Sequence, residues 1–331
     1  MIIVPAAIDG ELARAASLQP DLDYADPPAV RRALRRAFQL SGAIRPQQDA
    51  GDPLVTTDRR IPGSDGTHDI GIRIYDQADR ADPAAALVFF HGGAFVAGDL
   101  ETEDARCAEI TRRTGFLTVS VDYRLAPEHP FPAGFTDCVD AVAWTAANAG
   151  ELRIDPLRIA VGGASAGGAL AAAVCLAARD RNGPPIMLQL LLYPVIDDSL
   201  STPSMNAFTA TPGWNRPNSV HMWRHYLRGC EHVSPYAAPW RAADLRGLPP
   251  AYVLTAEFDP LRDEGIRYAA RLLDADVSTE LHQFPGTFHG FDAAAPQAEL
   301  TRRSLDEQCA VLIRAARAAI AARAAAGQAG G

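Results

Sequence analysis

Short, continuous runs of apolar residues, separated by stretches with helical spacing, constrain the fold of this 331-residue chain most. One run, from Ala86 to Phe90, is followed directly by His91 and two glycines. Runs of the same character occupy Phe116–Val121, Arg158–Val161, Met187–Leu192 and Tyr252–Leu254. Strands that are apolar on both faces are typical of a parallel sheet covered by helices on both sides. Helical stretches at Phe135–Ala147 and Ile266–Leu273 lie between them, so the order predicts an α/β fold with a mainly parallel sheet.

The stretch from Asp69 to Asp76 has a different pattern, because apolar and other residues alternate along it. Ile70, Ile72 and Ile74 lie on one side, and Gly71, Arg73 and Tyr75 lie on the other. A period of two predicts a strand with one face on the core.

Two stretches interrupt the alternation of strands and helices. Residues 1–50 contain helical segments before the first strand, and residues 198–236 form an insertion rich in Thr, Pro, Asn, Trp and His. No repeat or low-complexity linker separates true domains. We therefore predict one catalytic domain over residues 51–331, covered by a helical cap that residues 1–50 and the insertion at 198–236 build together.

Composition excludes several kinds of partner and site. The formal net charge is −9, which disfavours nucleic acid, and no apolar window is long enough for a membrane span. The N-terminus reaches Asp9 and Glu11 before a signal peptide could form, which predicts a cytoplasmic protein. Its five cysteines show no CxxC spacing, so we expect buried, reduced thiols and neither a disulfide framework nor a zinc site.

The sharpest local signal is Gly163-Ala164-Ser165-Ala166-Gly167, which follows an apolar strand and precedes a helical run. This G-x-S-x-G pattern is typical of a nucleophile elbow, a sharp turn that presents a serine. Small residues at 163 and 167 allow strand and helix to approach closely. Taken alone, the pattern also fits a glycine-rich turn without catalytic meaning or a phosphate-binding loop.

A second glycine-rich loop supports the catalytic interpretation. The sequence His91-Gly92-Gly93-Ala94-Phe95 follows the buried run that ends at Phe90. An acyl-transfer reaction creates an oxyanion, which backbone N–H groups in such a loop can bind. We predict donors at Ala166 and at two of the three residues Gly92, Gly93 and Ala94, and we expect His91 to brace the loop.

Five sequence blocks together resemble the hormone-sensitive-lipase-like family of bacterial serine esterases. They are His91–Phe95, Asp122–Glu128, Gly163–Gly168, Asp259–Gly265 and His289–Phe291, in the order of the family. The resemblance implies the α/β-hydrolase fold, a helical cap and activity on esters of short to medium acyl chains. Ala94 stands where the family commonly has a third glycine, and Ala164 stands where many members carry Asp or Thr.

The general base and the acid can be chosen from the residues themselves. A serine hydroxyl needs a base, and the order of this fold places the acid and then the histidine after the serine. His289 follows the strand-like stretch Glu280–Phe284, and Asp259 follows the apolar strand Tyr252–Leu254. Neighbouring rivals for the acid are Glu257, Asp263 and Glu264, of which the last two fit the first turn of the next helix.

Other histidines and aromatic residues have weaker signals. His221 and His225 have the i, i+4 spacing of a metal pair but lack the glutamate of H-E-x-x-H, so no metal is expected. The candidate pocket residues are the four aromatic side chains Phe95, Phe208, Trp214 and Trp223. The three in the insertion are explained equally well as the ordinary core of a cap.

The sequence therefore predicts a serine carboxylesterase that needs no cofactor and acts on small-molecule esters through Ser165, His289 and Asp259. An amidase or deacetylase with the same triad is an alternative, since a fold does not fix the scissile bond. A receptor or carrier built on a hydrolase scaffold is another, although such proteins usually lose a triad member. The sequence leaves open whether two copies associate as a homodimer.

Overall fold

The computed structural model describes residues 3, 5, 7–40 and 54–329. Residues 41–50, which belong to the predicted N-terminal cap segment, lie outside this range. Within it, one sheet has eight strands in the order β1-β2-β4-β3-β5-β6-β7-β8. The strands are β1 Leu54–Pro62, β2 Asp69–Gln77, β3 Ala84–Phe90, β4 Leu117–Asp122, β5 Ile154–Ala164, β6 Leu188–Leu192, β7 Ala251–Phe258 and β8 Thr279–Phe288. Strands β3 to β8 pair in parallel, whereas β1 and β2 are antiparallel to their neighbours.

Helices cover both faces of the sheet. They are α1 Gly10–Ser17, α2 Pro27–Leu40, α3 Asp104–Thr114, α4 Ala133–Ala147, α5 Ala149–Leu152, α6 Ala166–Asp180, α7 Pro203–Ala207, α8 Arg216–Tyr226, α9 Arg262–Asp274, α10 Phe291–Ala294 and α11 Glu299–Ala329. Side chains of α4, α6 and α9 share one core cluster. Those of α1, α3 and α11 share the other. This arrangement is the α/β-hydrolase architecture that the sequence predicted.

The strand predictions are confirmed for the buried runs, but one face of β2 differs from the expectation. Ile70, Ile72 and Ile74 are buried as predicted, yet Arg73 and Tyr75 on the opposite face are buried as well. The guanidinium of Arg73 pairs with three carboxylates, including Asp104 at 2.9 Å. Tyr75 donates its hydroxyl to the same Asp104. Polar side chains can therefore occupy a covered face because each one has a partner.

Local capping explains the two helices of the insertion. The Thr202 hydroxyl accepts the N–H of Met205 at the start of α7, and the Asn215 side chain accepts the N–H of Asn218 at the start of α8. Each helix also has a proline in its first turn, where the missing N–H needs no partner. The insertion thus contains two short helices, and the cap itself stays a prediction.

The N-terminal helices contact two different parts of the molecule. Helix α1 lies against the end of β8, where the N–H of Asp9 donates to the carbonyl of Gly286. The segment before α2 packs on α8 instead, since the N–H of Tyr24 donates to the Asn218 side chain. No described helix is long and apolar enough to cross a membrane.

Candidate active site

Ser165 lies at the turn between β5 and α6 with a backbone φ of 57°. Its N–H donates to the carbonyl of Leu192, and its own carbonyl accepts the N–H of Val195. A positive φ is strained for any residue except glycine and persists only where surrounding contacts hold it. The hydrogen bonds to the end of β6 supply such contacts, so the turn presents the hydroxyl at a fixed point.

The two glycines of this turn are required by close packing. A Cβ at Gly167 would lie 1.9 Å from the carbonyl oxygen of Phe90, and one at Gly163 would lie 2.3 Å from the carbonyl carbon and oxygen of Gly167. Both clashes involve backbone atoms, which cannot turn away. The predicted need for small residues at 163 and 167 therefore has a direct steric cause.

The structure brings Ser165, His289 and Asp259 together in one chain of hydrogen bonds. His289 Nε2 lies 2.9 Å from Ser165 Oγ, and His289 Nδ1 lies 2.7 Å from Asp259 Oδ2. An ionised carboxylate only accepts hydrogen bonds, so the ring carries its proton on Nδ1. The lone pair of Nε2 is then free to accept the proton of the serine hydroxyl.

Asp259 is fully buried and follows β7 directly. Its second oxygen, Oδ1, accepts the N–H of Leu261 at 2.9 Å. The backbone carbonyl of Asp259 accepts the N–H of Arg262, at the start of α9. Both ends of the residue are thus fixed, which leaves one carboxylate oxygen for the histidine.

The three rival carboxylates bind elsewhere. Glu257 accepts the N–H of Gly286, and Asp263 accepts the N–H of Ser204. Glu264 accepts the N–H of Ile196 at 2.6 Å, and burial raises the pKa of this carboxyl well above its usual value. Asp263 and Glu264 lie in the first turn of α9, as predicted.

Two further histidines have structural partners. His282 pairs with Glu280 and Glu307 at 2.9 and 2.6 Å. His225 Nε2 lies 3.1 Å from the carbonyl of Tyr24. Among the described residues, no group of three or more His, Cys, Asp or Glu side chains could hold a metal ion.

The glycine-rich loop after β3 lies beside the elbow. A Cβ at Gly92 would lie 3.6 Å from Ser165 Cβ, so the two loops are in contact. Burial raises the pKa of the Glu103 carboxyl, and the neighbouring N–H of Gly92 lowers it. By contrast, the N–H groups of Gly93, Ala94 and Ala166 have no acceptor among the described residues. These three N–H groups are therefore available to an oxyanion.

His91 braces this loop, in agreement with its predicted role. Its ring stacks on Tyr123 with centroids 4.1 Å apart, and its Nδ1 lies 2.7 Å from the carbonyl of Gly92. The Tyr123 hydroxyl donates to the His91 carbonyl. Burial lowers the pKa of His91 to about 4, so the ring is neutral at pH 7.

The four candidate pocket residues occupy different positions. The Trp214 ring lies 6.1 Å from the His289 ring. Phe95 stacks on Tyr226 at 3.8 Å and lies 6.0 Å from Trp223, all within one buried aromatic group. The Phe208 ring contacts Phe258 and the guanidinium of Arg262.

Sequence reasoning missed several residues that contact the candidate triad and the glycine loop. A Cβ at Gly213 would lie 2.1 Å from the carbonyl oxygen of His289, so this loop of the insertion rests on the histidine backbone. The Tyr193 ring packs edge-on against the His289 ring at 4.8 Å. Glu103 lies beside the N–H of Gly92. Tyr193 could have been noticed because it directly follows the apolar run Met187–Leu192, at the carboxyl end of a strand. No local sequence pattern marks Gly213 or Glu103.

The chain is similar in sequence to known α/β-hydrolases and esterases. Residues 87–293 match the model of a family described as having the alpha/beta hydrolase fold. Esterase LipI of Mycobacterium tuberculosis is 41% identical over 268 residues, which cover 78% of this chain and 83% of that protein. An ethyl acetate hydrolase of Pseudomonas putida is 34% identical over 262 residues, covering 78% and 81%.

Solved structures of esterases are also similar to this chain. A bacterial heroin esterase superposes with a TM-score of 0.89 at 43% identity and covers 93% of this chain and 98% of its own. Esterase LipW of Mycobacterium marinum superposes with a TM-score of 0.87 at 37% identity, covering 95% and 98%. The chain belongs to the hormone-sensitive-lipase-like family of α/β-hydrolases and is a carboxylic ester hydrolase, as its five sequence blocks predicted.

Proposed function

We propose that this carboxylic ester hydrolase works by two-step acyl transfer through an acyl-enzyme on Ser165. The observation that carries the proposal is the hydrogen-bonded chain from Ser165 Oγ through His289 to Asp259, with distances of 2.9 and 2.7 Å. A serine with a histidine base and an orienting carboxylate is the recurrent arrangement for this chemistry.

In the first step, Ser165 Oγ forms a bond to the ester carbonyl carbon while its proton passes to His289 Nε2. The carbonyl oxygen becomes an oxyanion, and the N–H groups of Gly93, Ala94 and Ala166 are its proposed donors. Collapse of this intermediate breaks the bond to the alkoxy group, which leaves as the alcohol with the proton from His289. Asp259 stabilises the imidazolium while it carries this proton.

In the second step, water gives a proton to His289 Nε2 and its oxygen forms a bond to the acyl carbon. The bond from that carbon to Ser165 Oγ then breaks, Oγ takes the proton back from His289, and the acid is released. Helix α6 begins at Ala166 and runs for 15 residues, so its N-terminal end lies at the serine. The partial positive charge of a helix N-terminus favours the negative charge that develops there in both steps.

The preferred substrates are proposed to be esters with short to medium acyl chains. Trp214, Phe95 and Trp223 are almost completely buried, so they do not form an open apolar face. Of the three, Trp214 lies beside the candidate triad, 6.1 Å from the His289 ring. We propose that the segment before α2 and helices α7 and α8 form the cap that limits the acyl chain. A relative named for ethyl acetate hydrolysis supports a preference for short chains.

A cytoplasmic location is also proposed. All five cysteines are free, and four of them are buried. Free thiols are typical of a reducing compartment. Recovery of the native protein in a secreted fraction rather than in the cytosol would contradict this location.

The nucleophile is tested by steady-state hydrolysis of p-nitrophenyl butyrate. Ser165→Ala should lower kcat by roughly 10⁶-fold, by analogy with other serine hydrolases. Ser120→Ala, which changes a buried serine of β4, serves as the control and should retain activity. Equal activity in both variants would refute Ser165 as the nucleophile.

The scissile bond is tested with matched acyl donors. Butyrate as its p-nitrophenyl ester and as its p-nitroanilide presents the same acyl group with different leaving groups. We expect a much larger kcat/KM for the ester. The reverse order would support an amidase instead.

A further inference from the structure

A buried charged cluster lies behind the His289 ring, and the mechanism above does not use it. Its members, called here the Arg106 cluster, are Glu103, Arg106, Tyr193 and Asp292. The side chains of Glu103, Arg106 and Asp292 are only 8%, 10% and 3% exposed. Charged groups this far from water cost free energy unless they are paired, so the arrangement needs an explanation.

Arg106 lies at the centre of the cluster and binds both carboxylates. Its Nε lies 2.8 Å from Glu103 Oε2, and its Nη2 lies 3.0 Å from Asp292 Oδ2. The Tyr193 hydroxyl donates to the other oxygen of Asp292 at 2.8 Å. Gln308 of α11 accepts from Nη1 at 3.2 Å. The guanidinium is therefore held on several sides.

Each carboxylate belongs to a different side of the candidate active site. Glu103 lies beside the N–H of Gly92, in the glycine loop that carries the proposed oxyanion donors. Asp292 lies three residues after His289, in α10. Arg106 thus connects the glycine loop with the loop that carries the histidine, through one side chain.

Tyr193 adds a direct contact with the base. Its ring packs edge-on against the His289 ring, with centroids 4.8 Å apart and an angle of 65° between the planes. Burial raises the pKa of the Tyr193 hydroxyl well above its usual value, so it remains a donor to Asp292. The ring orientation of Tyr193, and with it one wall of the His289 site, depends on where Asp292 lies.

We propose that Arg106 is a positioning residue that holds the oxyanion loop and the histidine loop at the spacing required for reaction at Ser165. The inference rests on the proposed function of Ser165 and His289, which Arg106 itself does not touch. Acyl transfer needs the base and the oxyanion donors on opposite sides of one carbonyl group, and misplacement by about 1 Å can cost on the order of 100-fold in rate.

Stability alone does not account for such a cluster. Replacing a buried ion pair by well-packed apolar residues is often neutral or stabilising, because desolvation offsets the attraction between the charges. A planar guanidinium, in contrast, fixes two carboxylates at defined directions. The guanidinium of Arg106 is therefore suited to hold two loops in a fixed relative position, which apolar side chains in a core would not do.

The test compares Arg106→Lys with Arg113→Lys. Both arginines lie in α3, and Arg113 also binds two carboxylates, Glu109 and Asp306, but its side chain is 34% exposed. Lysine keeps the charge and loses the fork that spans both partners. For each variant, kcat and KM for p-nitrophenyl butyrate are measured below the onset of thermal unfolding, per active site titrated with a phosphonofluoridate.

We expect Arg106→Lys to lower kcat by about tenfold to 100-fold with KM changed less than about twofold, because ground-state binding does not need the aligned loops. Arg113→Lys should match the wild type. An Arg106→Lys variant with wild-type kcat per titrated site would overturn the proposal, even if its thermal midpoint falls, since Arg106 would then be only structural.

Tyr193→Phe provides a second variant in case Arg106→Lys does not fold. It removes the hydroxyl bond to Asp292 and the long bond from Arg106 Nη2 at 3.4 Å, and it keeps the ring on His289. A loss of about threefold to tenfold in kcat is expected, in line with the lost hydrogen bond to Asp292. Wild-type kcat in Tyr193→Phe, together with an unfolded Arg106→Lys, would also overturn the proposal. Failure of the proposed function is distinguishable, because wild-type protein would then not be titrated on Ser165.

Discussion

The carboxyl edge of the sheet and the proposed cap above it are held by different kinds of contact. At the edge, backbone atoms fix the reactive serine, as in the hydrogen bond from the N–H of Ser165 to the carbonyl of Leu192. In the cap, side chains far apart in sequence meet, as in the edge-on contact of Tyr24 with Trp214 at 4.8 Å. Changes at the edge should therefore alter the chemistry or the fold, whereas changes in the cap should alter which ester is chosen.

After the loss of the nucleophile Ser165, the largest effect is expected at Asp259. Asp259→Asn presents an amide to His289 Nδ1, which favours the wrong tautomer, so kcat should fall on the order of 10⁴-fold with the fold retained. Glu257→Gln and Asp263→Asn are the controls and should change kcat little. Turnover and thermal midpoint are measured for all three. A collapse of turnover in one of the controls, with near-normal Asp259→Asn, would move the acid to that residue.

The next effect concerns the backbone contacts of the edge. Gly167→Ala places a methyl group against the Phe90 carbonyl, where the available distance is 1.9 Å. We expect a loss of about 3 kcal/mol or more in the free energy of unfolding, measured in urea, because a backbone clash cannot relax by rotation. Gly150→Ala, where a Cβ meets nothing within 4 Å, is the matched control. Equal stability of the two variants would show that a Cβ at position 167 does not clash with the Phe90 carbonyl.

A pH-dependent effect is expected at His91, which braces the oxyanion loop. Its pKa in the folded protein is about 4, below the usual value of 6.5. The unfolded chain therefore binds more protons between these values, and stability falls as the pH drops from about 6.5 to about 4. The contribution lost over this range is up to about 3 kcal/mol at 1.36 kcal/mol per pKa unit.

The pH effect is measured as the free energy of unfolding of the wild type and of His91→Asn at several pH values. His91→Asn should flatten the acid side of the curve, and His232→Asn, at an exposed histidine, should leave it unchanged. An unchanged acid slope in His91→Asn would show that the ring does not titrate as its burial predicts.

The smallest effect is expected in the cap. Trp214→Phe shortens the ring that lies 6.1 Å from His289, so longer acyl chains should gain space. The ratio of kcat/KM for hexanoate to that for acetate should rise by about tenfold, the value of one methylene group in an apolar pocket. Phe208→Leu is the control, because that ring contacts Phe258 and Arg262. A larger shift in the control would place the acyl chain at Phe208 instead.

The same contrast explains how much the sequence could predict. The strand runs and the two glycine-rich patterns could be predicted because each is a local pattern within a short segment. Strand β1 was not predicted, because it lies at the sheet edge and its middle residues are exposed and polar. An exposed edge strand carries little hydrophobic signal.

Long-range side-chain contacts were beyond the reach of the sequence. Glu103 and Arg106 have an ordinary i, i+3 spacing on a helix, which by itself suggests only a surface pair. Their burial follows from Asp292 and Tyr193, which the chain brings in from distant segments. The second buried face of β2 was missed for the same reason, because Arg73 is neutralised by carboxylates from other elements.

The most direct test of the catalytic account is the mass of the protein after treatment with a phosphonofluoridate. If Ser165 is activated by His289, its oxygen forms a bond to phosphorus, fluoride leaves, and the proton passes to the histidine. We predict one adduct per chain, on the peptide that contains Ser165, with inhibition of ester hydrolysis in proportion to labelling. Labelling that persists undiminished in Ser165→Ala, or full activity in labelled protein, would contradict the account.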